Sequence, residues 1–158
     1  MKFEKSAGAV VFRELRVKNQ EPREYLLLAH NSMGKVKKVI WDFPKGLMAE
    51  GESERSCAQR EVAEETGVTE FSFVDGFRET LKIFFKYQGE FINKTVVYFL
   101  TQTTSDDVRI SLEHTDFVWL PFEKALERLT FKNSREILKK SEDNLNGIAP
   151  VPPQPSLL

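Results

Sequence analysis

The chain has 158 residues, 41% hydrophobic and 30% charged, and a formal net charge of −1. That length suits one domain with its own core, and the near balance of charge excludes a global attraction to nucleic acid or acidic membranes, so any anion binding has to come from local clusters. A lone cysteine, Cys57, excludes an internal disulfide framework; with no apolar run of membrane-spanning length and no signal-peptide apolar region, an intracellular, cytoplasmic protein is expected.

Residues 3–13 are small in the middle and β-rich at the end, which predicts a strand with a close backbone approach at Gly8. A polar loop over 14–23 follows. The continuous apolar run Tyr25-Leu26-Leu27-Leu28-Ala29 within 24–30 predicts a central strand buried on both faces and paired with the first. Lys35, Lys37 and Lys38 then fall in a polar stretch that reads either as a solvated loop or as a rim that attracts phosphate. Lys45 follows Trp41 and Phe43 and immediately precedes Gly46, which sets a cation beside the stretch that begins there.

Between 46 and 68 the chemistry concentrates. Ser53 is a helix cap, Glu54 lies in the first turn and Gly67 stands where a left-handed C-terminal residue belongs, so a helix is predicted over 54–66. Residues at i, i+3 and i+4 share a helix face, so Glu61, Glu64 and Glu65 project together while Ala58 and Val62 turn toward a core. Like charges at i,i+4 weaken a helix by roughly 0.2–0.5 kcal/mol each, and a divalent cation relieves that repulsion. Hard oxygen donors with no His or Cys among them favour Mg2+ or Mn2+. The plain alternative is a solvated acidic face in a charge-rich protein. Cys57, on the same helix, reads as a small packed residue rather than a nucleophile.

Beyond the helix, Phe71–Lys86 and Thr95–Thr101 are β-favouring, with Gln88-Gly89-Glu90 as a hairpin loop between them. Asp116–Leu120 predicts a short strand, Pro121 a first helical residue opening a helix over 122–129, and Asn133 or Ser134 the cap of a last helix over 134–143. The turn-prone end, with Pro150, Pro152, Pro153 and Pro155, predicts a mobile or polyproline-like tail over 144–158 behind a single domain over 1–143.

The complete spacing changes the weighing of the acidic helix. Gly46, five residues, Glu52, seven residues, Arg60-Glu61-Val62, one residue, Glu64-Glu65, one residue and Gly67-Val68 resembles the Nudix box at every defining position. The resemblance implies an α/β (α+β) fold, an α/β/α sandwich with a mixed central sheet and a loop-helix-loop catalytic motif. It implies metal ligation by Glu61 and Glu65, assisted by Glu64, Glu52 and the Gly46 carbonyl, with Arg60 orienting a glutamate.

Asp75-Gly76-Phe77, Asn93 to Leu100, Ser111 to His114, Trp119-Leu120 and Phe131-Lys132 follow the order seen in the asymmetrical diadenosine tetraphosphate hydrolases of that family. By that likeness the substrate is a small nucleotide, diadenosine tetraphosphate, cleaved to ATP and AMP; a monomer or weak dimer is expected, and the chain is too compact and too poor in linkers for a dedicated nucleic-acid domain. Catalysis would involve Glu64, Glu113, Arg60 and Lys45, with Glu113 positioning or deprotonating water. Lys45, Lys94, Tyr98 and His114 would hold substrate, and Phe131 would stack adenine. Taken singly, Lys94 is also an ordinary strand-edge lysine, Tyr98 and Phe131 core aromatics and His114 a structural histidine. Where the family has a second aromatic against the base, the count here gives Ile83, and a one-residue shift gives Phe84. A looser base site would admit other nucleoside or inositol polyphosphates, and a diphosphoinositol or RNA 5′-pyrophosphate hydrolase, to which Lys35, Lys37 and Lys38 would be better suited, is the alternative among enzymes. A non-catalytic nucleotide sensor is the alternative from a different class.

Overall fold

The computed structural model describes residues 1–15 and 23–150. Its spine is β1 (Lys2–Glu14), which runs parallel to β7 (Glu90–Thr103) from Lys2↔Ile92 to Phe12↔Gln102 and antiparallel to β2 (Arg23–Asn31) through Phe12↔Tyr25. β2 pairs β3 (Val39–Asp42) and β8 (Asp116–Leu120), β4 (Lys45–Leu47) pairs β1, and both β5 (Phe71–Phe73) and β6 (Glu79–Tyr87) pair β7, giving one mixed sheet of eight strands.

Alternation along the buried strands assigns the two faces. Ala9, Val11, Leu26 and Leu28 pack with Val62 of α1 (Glu54–Thr66), and Ala7 and Val97 pack with Cys57 and Ala58 of the same helix. On the other face Val10, Phe12, Tyr25, Leu27, Tyr98 and Leu100 meet Ala125 of α2 (Phe122–Arg128) and Ile137 and Leu138 of α3 (Lys132–Leu145). The expected layering of helices on both sides of a mixed sheet is observed. No helix among the described residues is long and apolar enough to cross a membrane.

Several boundaries differ from expectation. The stretch 71–86 is two strands, because Val74–Arg78 turns through Gly76 at φ 80°. Pro121 is the residue before α2 rather than its first, with extended ψ of 163°. The last helix starts at Lys132 and runs to Leu145, two residues earlier and two later than expected, and Ser134 lies inside its first turn with its hydroxyl committed to Asp42. Most of the loop expected over 14–23 and the tail beyond 150 lie outside the described residues.

Candidate active site

Helix α1 forms as its sequence dictates. The Ser53 hydroxyl accepts from Ser56 N at 3.1 Å, and Gly67 closes the helix at φ 73° with its N–H on the Ala63 carbonyl. Because Cys57, Ala58 and Val62 are small, the helix lies close against β1, and the neighbouring Glu61 and Glu65 are drawn to 9% and 7% exposure. Glu64 does not follow them; its side chain is 58% exposed. The three carboxylates therefore occupy two environments, one partly dry and one wet.

The loop before the helix meets Glu61 and Glu65 through backbone. Lys45 N–H donates to Glu65 Oε2 at 2.9 Å. A Cβ on Gly46 would overlap the Glu61 carboxylate, so only glycine lets the strand come this close. The Gly46 carbonyl accepts from the buried Cys57 thiol at 3.5 Å.

Arg60 is the hub of the acidic group. Its Nε and Nη2 grip Glu52 at 2.7 and 2.9 Å in a bidentate fork, Nη1 reaches Glu61 at 2.8 Å and Glu64 at 3.2 Å, and Nη2 also donates to the Leu47 carbonyl. The fork holds the Glu52 carboxyl down at about 2. Burial works the other way on Glu61, whose carboxyl is raised despite Arg60. It raises Glu65 further, to about 8, opposed by the Lys45 N–H and reinforced by the charge of Glu61.

Two buried carboxylates that resist ionisation beside one another are what a divalent cation would relieve. Among the described residues no three acidic, histidine or cysteine side chains form a ready-made cage. A hard cation such as Mg2+ does not require one, since it keeps waters and shares substrate oxygens. The donor set of Glu61 and Glu65, with Glu52 and Glu64 linked through Arg60, fits such an ion.

Two adjoining cavities open beside this group. The first, of about 200 Å³, is polar and includes Glu65, Gly46, Lys45, Lys94, Glu113 and His114 in its wall. Glu113 is exposed on a loop held against α1, where Ser111 N donates to the Glu65 carbonyl at 3.2 Å and Arg109 N to the Thr66 carbonyl at 2.8 Å. Ser111 Oγ and His114 Nδ1 are 3.0 Å apart, and the His114 ring stands edge-on to His30 at 5.9 Å. Burial lowers both imidazoles below their ordinary value. It also lowers the Lys94 ammonium, with repulsion from Lys45 adding to the effect.

The second cavity, of about 310 Å³, is apolar and bounded by Leu81, Ile83, Val96, Tyr98 and Phe131. Tyr98 is 1% exposed with its ring edge-on to Phe43, and burial drives its hydroxyl well above the ordinary phenol value, so it acts as a neutral group. Asp42 and Lys45 belong to both walls and separate the two spaces.

The structure thus brings together Gly46, Glu65, Lys45, Lys94, Glu113, His114, Tyr98 and Phe131 around these spaces, with Arg60 binding Glu52, Glu61 and Glu64 alongside. It does not bring Phe84, which corrects that expectation. The register Ile83↔Lys94 and Phe84↔Asn93 turns Ile83 inward and leaves Phe84 65% exposed on the opposite face. Lys35, Lys37 and Lys38 are exposed and line neither cavity.

Sequence reasoning missed Asp42 and Ser134. Asp42 is 4% exposed, accepts from Phe43 N at 2.9 Å and Ser134 Oγ at 2.8 Å, and pairs with Lys45 Nζ at 3.1 Å. Its signal was a carboxylate inside an apolar run three residues before Lys45. His30 lies one residue before the end of an equally apolar strand, and only the fold places it against His114.

A model of the NUDIX domain matches residues 3–140. The chain is 30% identical over 152 residues to the asymmetrical bis(5′-nucleosyl)-tetraphosphatase of Sus scrofa, covering 92% of this chain and 97% of that protein. It is 32% identical over 146 residues to the protein of the same name from Caenorhabditis elegans, covering 90% and 97%. Among solved structures, a C. elegans Ap4A hydrolase binary complex superposes with a TM-score of 0.75 at 31% identity, over 92% of this chain and 99% of that one.

Proposed function

From a chain that belongs to the NUDIX domain family, we propose a Mg2+-dependent hydrolase of dinucleoside polyphosphates that cleaves diadenosine tetraphosphate to ATP and AMP. The observation that carries this reading is the pair of cavities sharing the Asp42–Lys45 wall. One is polar, carboxylate-lined and lysine-lined; the other is apolar and open to an aromatic ring, so a polyphosphate and its base have separate places joined at Lys45.

Each group has a physical task in this reading. Glu61 and Glu65, backed by Arg60, Glu52 and Glu64, would hold the cation, which when bound supplies charge neutralisation at phosphate and an activated water. Lys45 and Lys94 offset charge that builds on phosphate oxygens as the bond to the leaving nucleotide breaks. Glu113, exposed at the polar cavity, orients the attacking water and takes its proton. Tyr98 offers a neutral hydroxyl, and Phe131 a ring face to adenine on the apolar side.

A second reading rests on Ile83. An aliphatic residue in the wall of the cavity that Phe131 also lines makes a one-sided base site, which favours substrates read mainly through phosphate, such as inositol diphosphates or RNA 5′-pyrophosphates. A non-catalytic sensor would have no use for the whole Arg60–carboxylate assembly.

The deciding experiment is incubation with diadenosine tetraphosphate and Mg2+ followed by ion-exchange separation of the products. Equal ATP and AMP, abolished in Glu65→Gln, is the expected result. Two ADP would place the attack at another phosphorus, and no turnover would move the substrate to the phosphate-read classes.

A further inference from the structure

The outer end of the sheet carries a second surface that plays no part in the chemistry above. Directly paired residues share a face, so the registers Phe84↔Asn93 and Phe3↔Asn93 set Phe84, Asn93 and Phe3 in one row across β6, β7 and β1. The next row holds Lys86 opposite Phe91, and the row on the other side holds Lys82, Thr95 and Lys5. This face is the one α1 covers further along, where Thr80, Val97 and Ala7 are aligned; beyond the start of α1 it is open among the described residues. Phe3, Phe84 and Phe91 are 72%, 65% and 59% exposed.

The charges on this face are one-sided. Among the described residues its paired rows carry Lys82, Lys86 and Lys5 and no carboxylate. Glu54 at the head of α1 is shared between Lys5 at 2.5 Å and Arg78 at 2.8 Å, and among the described residues Lys82 and Lys86 form no ion pair. Lys86 Nζ stands 5.4 Å from the Phe91 ring centre. Residues two apart on a strand are about 7 Å apart, so Phe84 has a lysine that distance away on either side along β6.

We propose that this face binds single-stranded nucleic acid, with bases stacking on Phe84, Phe91 and Phe3 and the backbone running along Lys82, Lys86 and Lys5. Exposed rings interleaved with cations on an open sheet are the physical requirement of sequence-tolerant single-strand binding. The alternation argues against the other occupants of an apolar surface. Half-buried Asn93 and Thr95 separate the rings and lysines stand among them, whereas a lipid surface or a second copy of the chain would seat on a continuous apolar centre with charge at its rim. The inference does not depend on which phosphate ester the active site cleaves, since Asn93 and Lys94 point to opposite faces of β7.

The test is fluorescence anisotropy of a 3′-labelled oligouridylate of about twelve nucleotides with a 5′-hydroxyl, in metal-free buffer. Lys82→Glu with Lys86→Glu, and separately Phe3→Ala with Phe91→Ala, are each expected to weaken binding at least about tenfold, since each stacked base is worth roughly 5- to 150-fold. Engaging about three phosphates predicts a loss of roughly 20-fold between about 50 and 200 mM salt. Phe131→Ala is expected to bind like the wild type, and the Phe3/Phe91 variant to retain nucleotide hydrolysis, which shows that it is folded.

Absence of binding at low salt, or binding lost only in Phe131→Ala, overturns the proposal. So does co-sedimentation with phosphatidylserine vesicles, or a dimer in the ultracentrifuge that the Phe3/Phe91 variant abolishes, if either occurs without oligonucleotide binding.

Discussion

Replacing Gly8 by alanine tests whether the placement of Lys45 is set from the far side of β1. Gly8 pairs with Lys45 across β1 and β4, and Ala9 N donates to the Pro44 carbonyl at 3.1 Å, so the two backbones are held together at this point. A Cβ at Gly8 would overlap the Pro44 carbonyl oxygen and stand 2.6 Å from Lys45 Cβ and 2.8 Å from its Cα. Carbon atoms in contact prefer about 3.5–4.0 Å, so β4 has to retreat by about 1 Å. Backbone, not a flexible side-chain end, must give way. Overpacking of this kind costs about 1–3 kcal/mol, or a fall in Tm of roughly 2–12 °C for a domain of this size.

The functional effect exceeds the stability effect, because Lys45 N–H holds Glu65 and its side chain lines both cavities. A displacement of about 1 Å at the reacting centre costs on the order of 100-fold in rate. Steady-state kcat on diadenosine tetraphosphate, measured well below the variant's Tm, separates the two effects. A Gly8→Ala enzyme with wild-type kcat refutes the claim that this contact sets the site.

Three further outcomes follow from the same geometry. In metal-free buffer the native Glu65 carboxyl titrates at about 8 while the unfolded chain titrates near 4.5, so the native state keeps a proton the unfolded state releases. Stability then falls as pH rises between those values, by at most about 1.4 kcal/mol per unit; Glu65→Gln removes that slope, and urea midpoints across the range check it. Arg60→Lys loses the bidentate fork on Glu52 and cannot span Glu61 and Glu64 as well, so Mn2+ affinity measured by titration is expected to fall about 10–100-fold; unchanged affinity would rule out the hub role. Ile83→Tyr places a second ring in the wall of the cavity that Phe131 also lines and is expected to lower KM for diadenosine tetraphosphate by about fivefold or more while leaving KM for inorganic tetraphosphate unchanged.

Much of this was readable from residue order, because local rules decided it. Ser53 and Gly67 set the bounds of α1. Gln88 and Gly89 adopt φ of 48° and 79° and form the hairpin where it was expected, but as a two-residue turn, since Glu90 already pairs with Tyr87. The place of Phe84 was readable too. A two-residue turn pairs Tyr87 with Glu90, and counting back by strand pairing sets Ile83, not Phe84, opposite Lys94. Other features were decided at long range. Ser134 looked like a helix cap, but its hydroxyl serves Asp42, 92 positions away in sequence, and the helix starts earlier without it. No pattern within either segment announces that bond.

The difference between Glu64 and its neighbours shows how the sheet reaches into the chemistry. By helical spacing alone Glu61, Glu64 and Glu65 are equivalent members of one face. What separates them is the size of residues elsewhere: Ala7 and Ala9 on β1 and Cys57 and Ala58 on α1 are all fully buried and small, so helix and strand approach closely. That approach carries Glu61 and Glu65 into the margin of the core and leaves Glu64 in water. The raised Glu65 carboxyl is thus a consequence of small residues on β1 as much as of the acidic motif. Larger side chains at Ala7 or Ala9 would push α1 outward, wet Glu65 and return its carboxyl toward the ordinary range, even with every acidic residue of the motif in place.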